Sequence, residues 1–462
     1  AHIAVQLLHE AGVPRSVLQL LPGAGSIVGA KLVADRRING VCFTGSTTTG
    51  QTINRSMAET AAADAPLIAE TGGLNAMIVD STALPEQAVK DIIDSSFRSA
   101  GQRCSALRIL FIQEDIAPSF LKMLFGAMDE LTIGAPWDYA TDLGPVINEA
   151  ARRQILDHIS AAETEGRLLK QVQAPQAGTF VGPAAIKIRG MQDMHREIFG
   201  PVLHIATFKA SEIGRIIKDI NTSRFGLTFG LHTRMDDRVE RITTGLNVGN
   251  LYVNRNQIGA IVGSQPFGGE GLSGTGPKAG GPNYVRRFTR PEVTRSMPVD
   301  TTPPVGIQTV QAALNALEPV SRKRLQTLDL PGPTGESNRL TYYPRGTILC
   351  LGPMQDDAVK QAAIARSKGC NALIVCPDAT EKGAIAGYLK RQDLAEISGF
   401  DGAALWSDEA DIRAARIALA KRNGPLLPLM SDSDMADRCI IERHVCIDTT
   451  AAGGNTSLLS GS

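Results

Sequence analysis

Short apolar runs alternate with amphipathic stretches along most of the chain, and this alternation limits its fold more than any other feature. The runs "GVCFTGS", "PLIAETGG" and "NAMIVD" are typical of short strands, as is "VLQLLPG" before a turn. The stretches "HIAVQLLHEAG", "GSIVGAKLVAD" and "TTTGQTINRSMAE" are typical of helices. Because strands separated by helices favour a parallel sheet, the sequence predicts an α/β protein.

Charge and cysteine content narrow the class of protein. The 462 residues include 47 basic and 47 acidic side chains, and this zero net charge gives no electrostatic reason to expect a nucleic-acid partner. No apolar run is long enough to span a membrane. The seven cysteines are scattered without a C-x-x-C pair, which favours free thiols in the reducing cytoplasm and predicts no metal site.

The stretch "SSFRSAGQRCSALRILFI" (residues 95–112) places Cys104 in a connection between a predicted helix and a predicted buried strand. Most cysteines are small buried hydrophobes, and Cys42, Cys350 and Cys376 have the apolar neighbours typical of that role. Cys104 instead has polar neighbours. It is a candidate nucleophile, which would need a base and donors for an oxyanion.

Two other stretches could supply a general base and a pyrophosphate-binding turn, but each also allows a simpler interpretation. In "IAETGG", Glu70 ends an apolar strand, where burial would raise the pKa of a carboxyl group and suit a general base; a solvated loop acid is the alternative. In "FTGSTTTG", Gly45 and Gly50 flank the start of a helix that could hold a pyrophosphate; a helix cap is the alternative.

The order of "FTGSTTTG", "ETGG", "GQRC", "EIFGPV" (residues 197–202) and "PFGGEGLSG" (residues 266–274) resembles the NAD(P)-dependent aldehyde dehydrogenase superfamily. The resemblance implies that Cys104 attacks the aldehyde and that Glu70 activates the hydrolytic water. The residues implied to bind the cofactor are Gly45, Ser46, Gly50, Glu197 and Phe199.

The segment "NLYVNRNQIGAIVGSQPFGGEGLSGTGPKAGGPNY" (residues 250–284) is more narrowly similar to the glutamate-semialdehyde, or pyrroline-5-carboxylate, dehydrogenase branch. It resembles above all the module fused to proline dehydrogenase in bacterial bifunctional proline-utilization A proteins, whose C-terminal motif resembles "IDTTAAGGNTSLLS". The resemblance implies NAD-dependent oxidation of L-glutamate γ-semialdehyde to L-glutamate, the second step of proline catabolism. The residues implied to hold this substrate are Ser105, Gly280, Gly281 and Phe288.

The expected architecture is aldehyde dehydrogenase-like: a partial Rossmann-type NAD-binding domain, an α/β catalytic domain and a smaller α/β C-terminal domain. The expected parts are residues 1–72 (cofactor domain), 73–255 (catalytic domain), 256–290 (glycine-rich substrate anchor), 291–345 (linker with a helix), 346–440 (small α/β domain) and 441–462 (tail motif).

The superfamily's oxyanion asparagine and its adenosine-ribose lysine have no match in the sequence. We therefore expect the chain to be the C-terminal part of a homo-oligomeric parent, in which FAD would belong to a separate proline dehydrogenase module. We expect the chain alone to have little activity, because losing one oxyanion donor commonly lowers the rate by about two to three powers of ten.

Three alternatives stay open. The substrate could be another aldehyde. The chain could be a structural or assembly fragment, because residues 346–462 contain none of the motifs above, and Cys446 there is interpreted as core. A cysteine hydrolase fits poorly, because none of the candidate histidines lies in a motif that would pair it with Cys104; these are His158, His195 and His204.

Overall fold

The computed structural model of the chain describes residues 1–289, 303–321, 323–431 and 434–450. Most of the expected tail motif, residues 451–462, lies outside these ranges, as does the first part of the expected linker. None of the helices within them combines the length and the apolarity that crossing a bilayer requires.

The first part of the chain carries two parallel strands that place candidate residues at one edge. Thr44 pairs with Glu70 and Gly45 with Thr71. The prediction of a strand in "VLQLLPG" is wrong. The amides of Val17 and Leu18 both donate to the carbonyl oxygen of Pro14 and form a turn. The elements are α1 His2–Glu10, α2 Ala30–Val33, β1 Val41–Gly45, α3 Thr47–Thr60 and β2 Leu67–Thr71.

The middle of the chain alternates strands with helices, as the sequence predicted. Its elements are β3 Ala76–Val79, α4 Pro85–Phe97, β4 Ile109–Gln113, α5 Ala117–Asp129, α6 Glu149–Thr164, β5 Leu168–Gln171, β6 Ala184–Lys187, β7 Val202–Phe208, α7 Ile213–Thr222, β8 Phe225–Gly226, β9 Thr228–His232, α8 Asp236–Gly245, β10 Asn250–Val253 and β11 Glu270–Gly271.

The last part of the chain adds a separate five-stranded sheet and three further strands of the main sheet. Its elements are α9 Ile307–Asn315, β12 Gln326–Leu330, β13 Glu336–Pro344, β14 Thr347–Cys350, α10 Gln355–Ser367, β15 Asn371–Cys376, β16 Ile385–Ala386, β17 Gly402–Ala404, α11 Glu409–Ala420, β18 Leu429–Met430, α12 Met435–Arg438 and β19 Ile440–Asp448.

Ten strands form the main sheet, in the order β12-β13-β19-β10-β9-β3-β4-β7-β6-β5. The strands from β19 to β6 are parallel, and antiparallel pairs lie at both ends. The sequence predicted only a helix within residues 291–345, whereas β12 and β13 also lie there. Cys446 on β19 is fully buried, as expected.

The small domain is a five-stranded parallel sheet, in the order β16-β15-β14-β17-β18. Its strands and its helices α10 and α11 confirm the alternation predicted there. Cys350 and Cys376 lie in its core. Cys42 was expected to be core and is exposed, because β1 pairs only with β2 among the described strands and most of its residues remain accessible.

The small domain contacts the C-terminal end of α3 through two arginines of α11. Arg416 donates to the carbonyl oxygens of Ala62 and Ala63, at 2.8 and 3.1 Å. Arg413 donates to the carbonyl oxygen of Glu59 at 3.1 Å. The Arg413 cation thus satisfies a carbonyl group at the negative end of the helix dipole, and Arg416 holds the turn that follows the helix. The helix that begins at the candidate pyrophosphate turn is therefore fixed at its other end by the small domain.

Candidate active site

Cys104 lies on a short connection held in an unusual backbone conformation. Ser99 and Ala100 have φ values of 57° and 52°, a left-handed region that residues with a Cβ rarely adopt. The side-chain amide of Asn75 donates to the carbonyl oxygens of Cys104 and Ala106, at 2.6 and 2.9 Å. This connection is thus fixed on both sides of a thiol that remains partly exposed.

Asn75 links the cysteine loop to the main sheet. Its Oδ1 atom accepts from the amide of Thr228 on β9 at 3.2 Å, while its Nδ2 atom holds the loop. A Cβ atom at Gly73 would overlap the Asn75 amide, so the glycine of "ETGG" is needed for this arrangement. Asn75 was not predicted from the sequence, although a polar residue at the start of the apolar run "NAMIVD" was a visible signal.

Glu70 ends β2 next to the glycine-rich segment. Its Oε2 atom accepts from the amide of Gly269 at 2.9 Å, whereas its Oε1 atom is buried and has no hydrogen-bond partner among the described residues. Burial raises the pKa of Glu70; the Gly269 N–H and the positive charge of Lys278 act in the opposite direction. A carboxyl group with a raised pKa and one free oxygen can serve as a general base.

The electrostatic environment of Cys104 favours the protonated thiol. Burial raises the pKa of Cys104, and the negative charges of Glu197 and Glu70 raise it further; the Ser105 N–H lowers it. The nucleophile and the two glutamates expected to work with it therefore interact electrostatically at one site.

Arg108 joins the cysteine loop to the expected nicotinamide residues. It is completely buried and forms an ion pair with Glu197 at 2.9 Å, and its guanidinium carbon lies 5.3 Å from the centre of the Phe199 ring. It also donates to the carbonyl oxygens of Gly101 and Gly200, at 2.8 and 3.2 Å. Arg108 was missed in the sequence, where its position inside the apolar run "ALRILFI" was the signal.

Glu197 is held close to the backbone of the "ETGG" motif. A Cβ atom at Gly72 would overlap its carboxylate. Burial raises the pKa of Glu197, while Arg108 and then the Gly73 N–H act in the opposite direction. Phe199 exposes 46% of its surface. A fixed carboxylate beside an accessible aromatic ring fits a ribose hydroxyl pair and a planar ring, so these residues could hold a nicotinamide riboside.

Ser46 caps helix α3, and the structure is compatible with both interpretations of its turn, a helix cap and a pyrophosphate site. Its Oγ atom accepts from the amide of Thr49 at 3.1 Å. The Cβ atoms that Gly45 and Gly50 lack would meet the ring of Phe43 and the methyl group of Thr71. Because α3 has 14 residues and begins at an exposed serine, its N-terminus can also bind an anion such as a pyrophosphate.

The expected substrate residues lie in two places. Ser105 is buried beside the nucleophile, and its carbonyl oxygen accepts from the side chains of Thr228 and Gln257, at 3.1 and 3.2 Å. Gly280 has a φ of +71° and open space where a Cβ would lie.

The other two expected substrate residues already have contacts within their own segment. The amide of Gly281 donates to the carbonyl oxygen of Lys278 at 3.0 Å. Phe288 is 61% exposed, and its ring centre lies 5.5 Å from that of Tyr284. The structure thus groups Cys104 and Ser105, and the roles of the glycine-rich residues stay a prediction.

The histidines do not supply a partner for the nucleophile in the contacts that the structure shows. His158 and His204 hydrogen-bond to each other at 2.9 Å, and His195 is exposed. In the described ranges, no group of three or more His, Cys, Asp or Glu side chains is arranged to hold a metal ion.

The chain matches a known protein family and is similar in sequence to several known proteins. The aldehyde dehydrogenase family matches residues 1–294. The bifunctional protein PutA of Salmonella typhimurium is 42% identical over 508 residues, covering 99% of this chain and 38% of that protein. The 1-pyrroline-5-carboxylate dehydrogenase of Geobacillus kaustophilus is 38% identical over 291 residues, covering 62% of this chain and 56% of that protein.

One solved structure of similar fold carries a cofactor. The 1-pyrroline-5-carboxylate dehydrogenase from Thermus, with bound NAD, is 34% identical and has a TM-score of 0.57, over 61% of this chain and 55% of its own. The chain thus spans less than two thirds of the length of each of these relatives, and only 38% of the PutA protein.

Proposed function

Because the chain belongs to the aldehyde dehydrogenase family, we propose that it oxidises L-glutamate γ-semialdehyde to L-glutamate with NAD, as the second step of proline catabolism. The observation that carries this proposal is that Arg108 binds both the loop of the partly exposed Cys104 thiol and Glu197, whose carboxylate lies against the backbone of the "ETGG" motif that contains Glu70. The names of the PutA and 1-pyrroline-5-carboxylate dehydrogenase relatives support this choice of substrate.

Cys104 is the nucleophile in this reaction. The thiol first gives its proton to solvent water. The sulfur then attacks the aldehyde carbon, and a thiohemiacetal oxyanion forms. When that oxyanion collapses, the aldehyde hydrogen leaves with its electron pair and a thioester remains on the cysteine. The N–H of Ser105, which already lowers the pKa of the thiol, is one fixed donor beside the reacting sulfur.

Glu70 is the base for hydrolysis of the thioester. A water molecule at the free Oε1 atom gives its proton to Glu70 while its oxygen bonds to the acyl carbon. The carbon–sulfur bond then breaks, and the Cys104 thiolate and the product acid are released. Burial, which raises the pKa of Glu70, gives this carboxylate the proton affinity that a general base needs near neutral pH.

The cofactor residues fit NAD. Ser46 and the N-terminal amides of α3 would hold the pyrophosphate, and Glu197 and Phe199 would orient the nicotinamide riboside. When bound, NAD supplies the acceptor for the hydride. Arg108 keeps Glu197 and the cysteine loop at a fixed separation, so the two halves of the reaction stay aligned.

Ser105 and the glycine-rich segment would recognise the substrate's α-carboxylate. Gly280 leaves open space around a backbone in the left-handed region, which allows an anion to approach closely. Phe288 would pack against the substrate's carbon chain, and its ring is exposed and therefore accessible.

The test compares the full-length protein with its Cys104→Ala variant. NADH formation is followed with glutamate semialdehyde and with uncharged aldehydes of similar length. We expect kcat/KM for the semialdehyde to exceed that for uncharged aldehydes by roughly 10- to 100-fold, since carboxylate hydrogen bonds are worth about 1.5–3 kcal/mol. We expect Cys104→Ala to lower NADH formation by roughly three powers of ten or more.

Two results would contradict the proposal in different ways. No NADH from any aldehyde would reject the reaction itself. Equal turnover of charged and uncharged aldehydes would keep the chemistry and reject the carboxylate-binding roles of Ser105, Gly280, Gly281 and Phe288.

A further inference from the structure

Lys278 is a buried cation in the glycine-rich segment, close to the proposed base. Its residue is 2% exposed. Its Nζ atom donates to Asn250 Oδ1 at 2.8 Å and forms a short hydrogen bond with the carbonyl oxygen of Gly268. A buried ammonium group is costly unless its donors are satisfied, so these acceptors hold the charge at a fixed position.

The peptide group between Gly268 and Gly269 connects this cation to Glu70. Its carbonyl oxygen accepts from Lys278, and its N–H donates to Glu70 Oε2 at 2.9 Å. The two ends of a trans peptide point in opposite directions, so the cation lies on one side of the group and the carboxylate on the other. A positive charge at the oxygen polarises the peptide and makes its N–H a stronger donor.

The surrounding residues fix this arrangement. Asn250 Oδ1 also accepts from the amide of Gly268 at 3.1 Å, so the same side chain orients both the cation and the peptide. A Cβ atom at Gly268 would lie 3.0 Å from Glu70 Oε1, and a Cβ atom at Gly249 would overlap the carbonyl oxygen of Gly268. Glycine at both positions therefore allows the close approach.

We propose that Lys278 is a positioning residue for the base, and that its positive charge, acting through the Gly268–Gly269 peptide, sets the protonation state of Glu70. This inference rests on the proposed function, because it assigns a role in preparing Glu70 for hydrolysis of the thioester. The positive charge favours the carboxylate form, which can accept a proton from water, and it promotes loss of that proton after each turnover.

Several charged groups act on this pair, and they come from the cysteine loop, the glycine-rich segment and β19. Cys104, on the cysteine loop, and Tyr284, in the glycine-rich segment, interact with Glu70. The groups that interact with Lys278 are Glu270 on β11 and Glu442, Arg443 and His444 on β19.

The directions of the pKa shifts agree with the geometry. Burial lowers the pKa of Lys278, while the negative charge of Glu70 raises it more than any other neighbour does. The positive charge of Lys278 in turn lowers the pKa of Glu70 against the effect of burial. Removing the charge of Lys278 therefore raises the pKa of Glu70 further.

The test uses three variants of the full-length protein. Lys278→Met and Lys278→Gln remove the charge, and the glutamine keeps a hydrogen-bond donor in case the methionine variant fails to fold. Lys278→Arg keeps the charge. Lys122→Met, at an exposed residue of α5, is the matched control for the loss of one lysine. Thermal unfolding of each variant establishes that it is folded.

We expect both neutral variants to shift the acidic limb of the kcat–pH profile upward by about one unit. This corresponds to roughly a tenfold loss of kcat at pH values below both midpoints. Lys278→Arg and Lys122→Met should keep the wild-type midpoint. A merely structural role would lower the activity of all three Lys278 variants together without moving the midpoint.

A second readout needs no substrate. The carbonyl band of the protonated Glu70 carboxyl group, identified by its loss in Glu70→Gln, is followed by infrared spectroscopy against pH. Folded Lys278→Met or Lys278→Gln protein in which this band titrates as in wild type would overturn the inference. A wild-type protein that oxidises no aldehyde would reject the proposed function instead, and the infrared titration would still report on Lys278.

Discussion

At the scale of single residues, the two oxygens of Glu70 have different environments. Oε2 is held by the amide of Gly269, while Oε1 is buried without a hydrogen-bond partner among the described residues. The first contact fixes the orientation of the carboxylate, and the second atom has no described partner that would compete with the water of the proposed hydrolysis. This division suits a residue that activates water and has no direct role in the attack of the thiol.

Glu70→Gln separates the two halves of the reaction. We expect about one equivalent of NADH per site in a rapid burst, because Cys104 can still form the thioester. Steady-state turnover should then fall by roughly 100-fold or more, since the general base is lost. Stopped-flow absorbance of NADH measures both phases. Loss of the burst as well would mean that Glu70 acts before hydride transfer.

The pH dependence of the wild type follows from the same residue. Burial raises the pKa of Glu70, and in the proposed reaction the ionised form of this residue is the base. Activity is therefore lost as the pH falls through the raised pKa, and this loss begins above the range of an ordinary carboxyl group.

Arg108 is the residue on which the alignment of the site depends. In Arg108→Met, Glu197 keeps its half-buried position without its cationic partner, and the carbonyl oxygens of Gly101 and Gly200 lose a donor. Removing one partner of such a pair costs about 3 kcal/mol. We expect a loss of that size in the free energy of unfolding, measured by urea denaturation, and a raised KM for NAD.

A double variant serves as the control for this prediction. Arg108→Met with Glu197→Gln removes both charges, and it should recover part of the lost stability without recovering the KM for NAD. If the double variant were as unstable as the single variant, the backbone contacts of Arg108 would be its main contribution.

The sequence indicated candidate reactive residues more readily than the residues that hold them. Cys104 and Glu70 stood out because each lies in an unusual place relative to an apolar run. Asn75 and Lys278 did not, because their partners lie on other strands, and sequence spacing carries no information about such contacts. The predicted burial of Cys42 was wrong for a related reason. Apolar neighbours predict a strand, but they do not establish which residues cover that strand.

At the scale of secondary-structure elements, α3 connects two functions. Ser46 caps its N-terminus at the candidate pyrophosphate turn, and the arginines of α11 donate to carbonyl groups at and just beyond its other end. The sequence predicted this helix and its polar first turn correctly. It could not predict the second contact, which joins residues more than 350 positions apart.

Prediction of the strands from the sequence was limited in the same way. Parallel strands with continuous apolar residues, such as β3 and β4, were predicted because they are buried on both faces. The antiparallel strands β12 and β13 were missed. In β12 the residues are exposed or half-buried, and such a pattern does not distinguish an edge strand from a polar connection.

At the scale of the whole molecule, the small domain should support cofactor binding through α3. The double variant Arg413→Met/Arg416→Met removes the donors at the end of this helix. We expect a several-fold rise in the KM for NAD with little change in kcat, and faster limited proteolysis between the domains, because charged hydrogen bonds of this kind contribute about 1.5–3 kcal/mol each.

Arg366→Met is the matched control, because Arg366 pairs with Glu381 on the same small domain at an exposed site. It should leave both the KM for NAD and the rate of proteolysis unchanged. An equal rise in KM in both variants would show that the effect comes from general loss of charge.

The position of β19 has a consequence for how the protein is made. This strand joins β13 to β10 in the main sheet, yet it leaves the ribosome after every other strand described. Between the end of β10 at Val253 and the start of β19 at Ile440, the 186 residues from 254 to 439 are synthesised. At about 5–20 residues per second, the edge of β10 waits roughly 10–40 seconds for its partner. During translation the nascent chain therefore presents an unpaired parallel strand, which is a natural binding site for a chaperone.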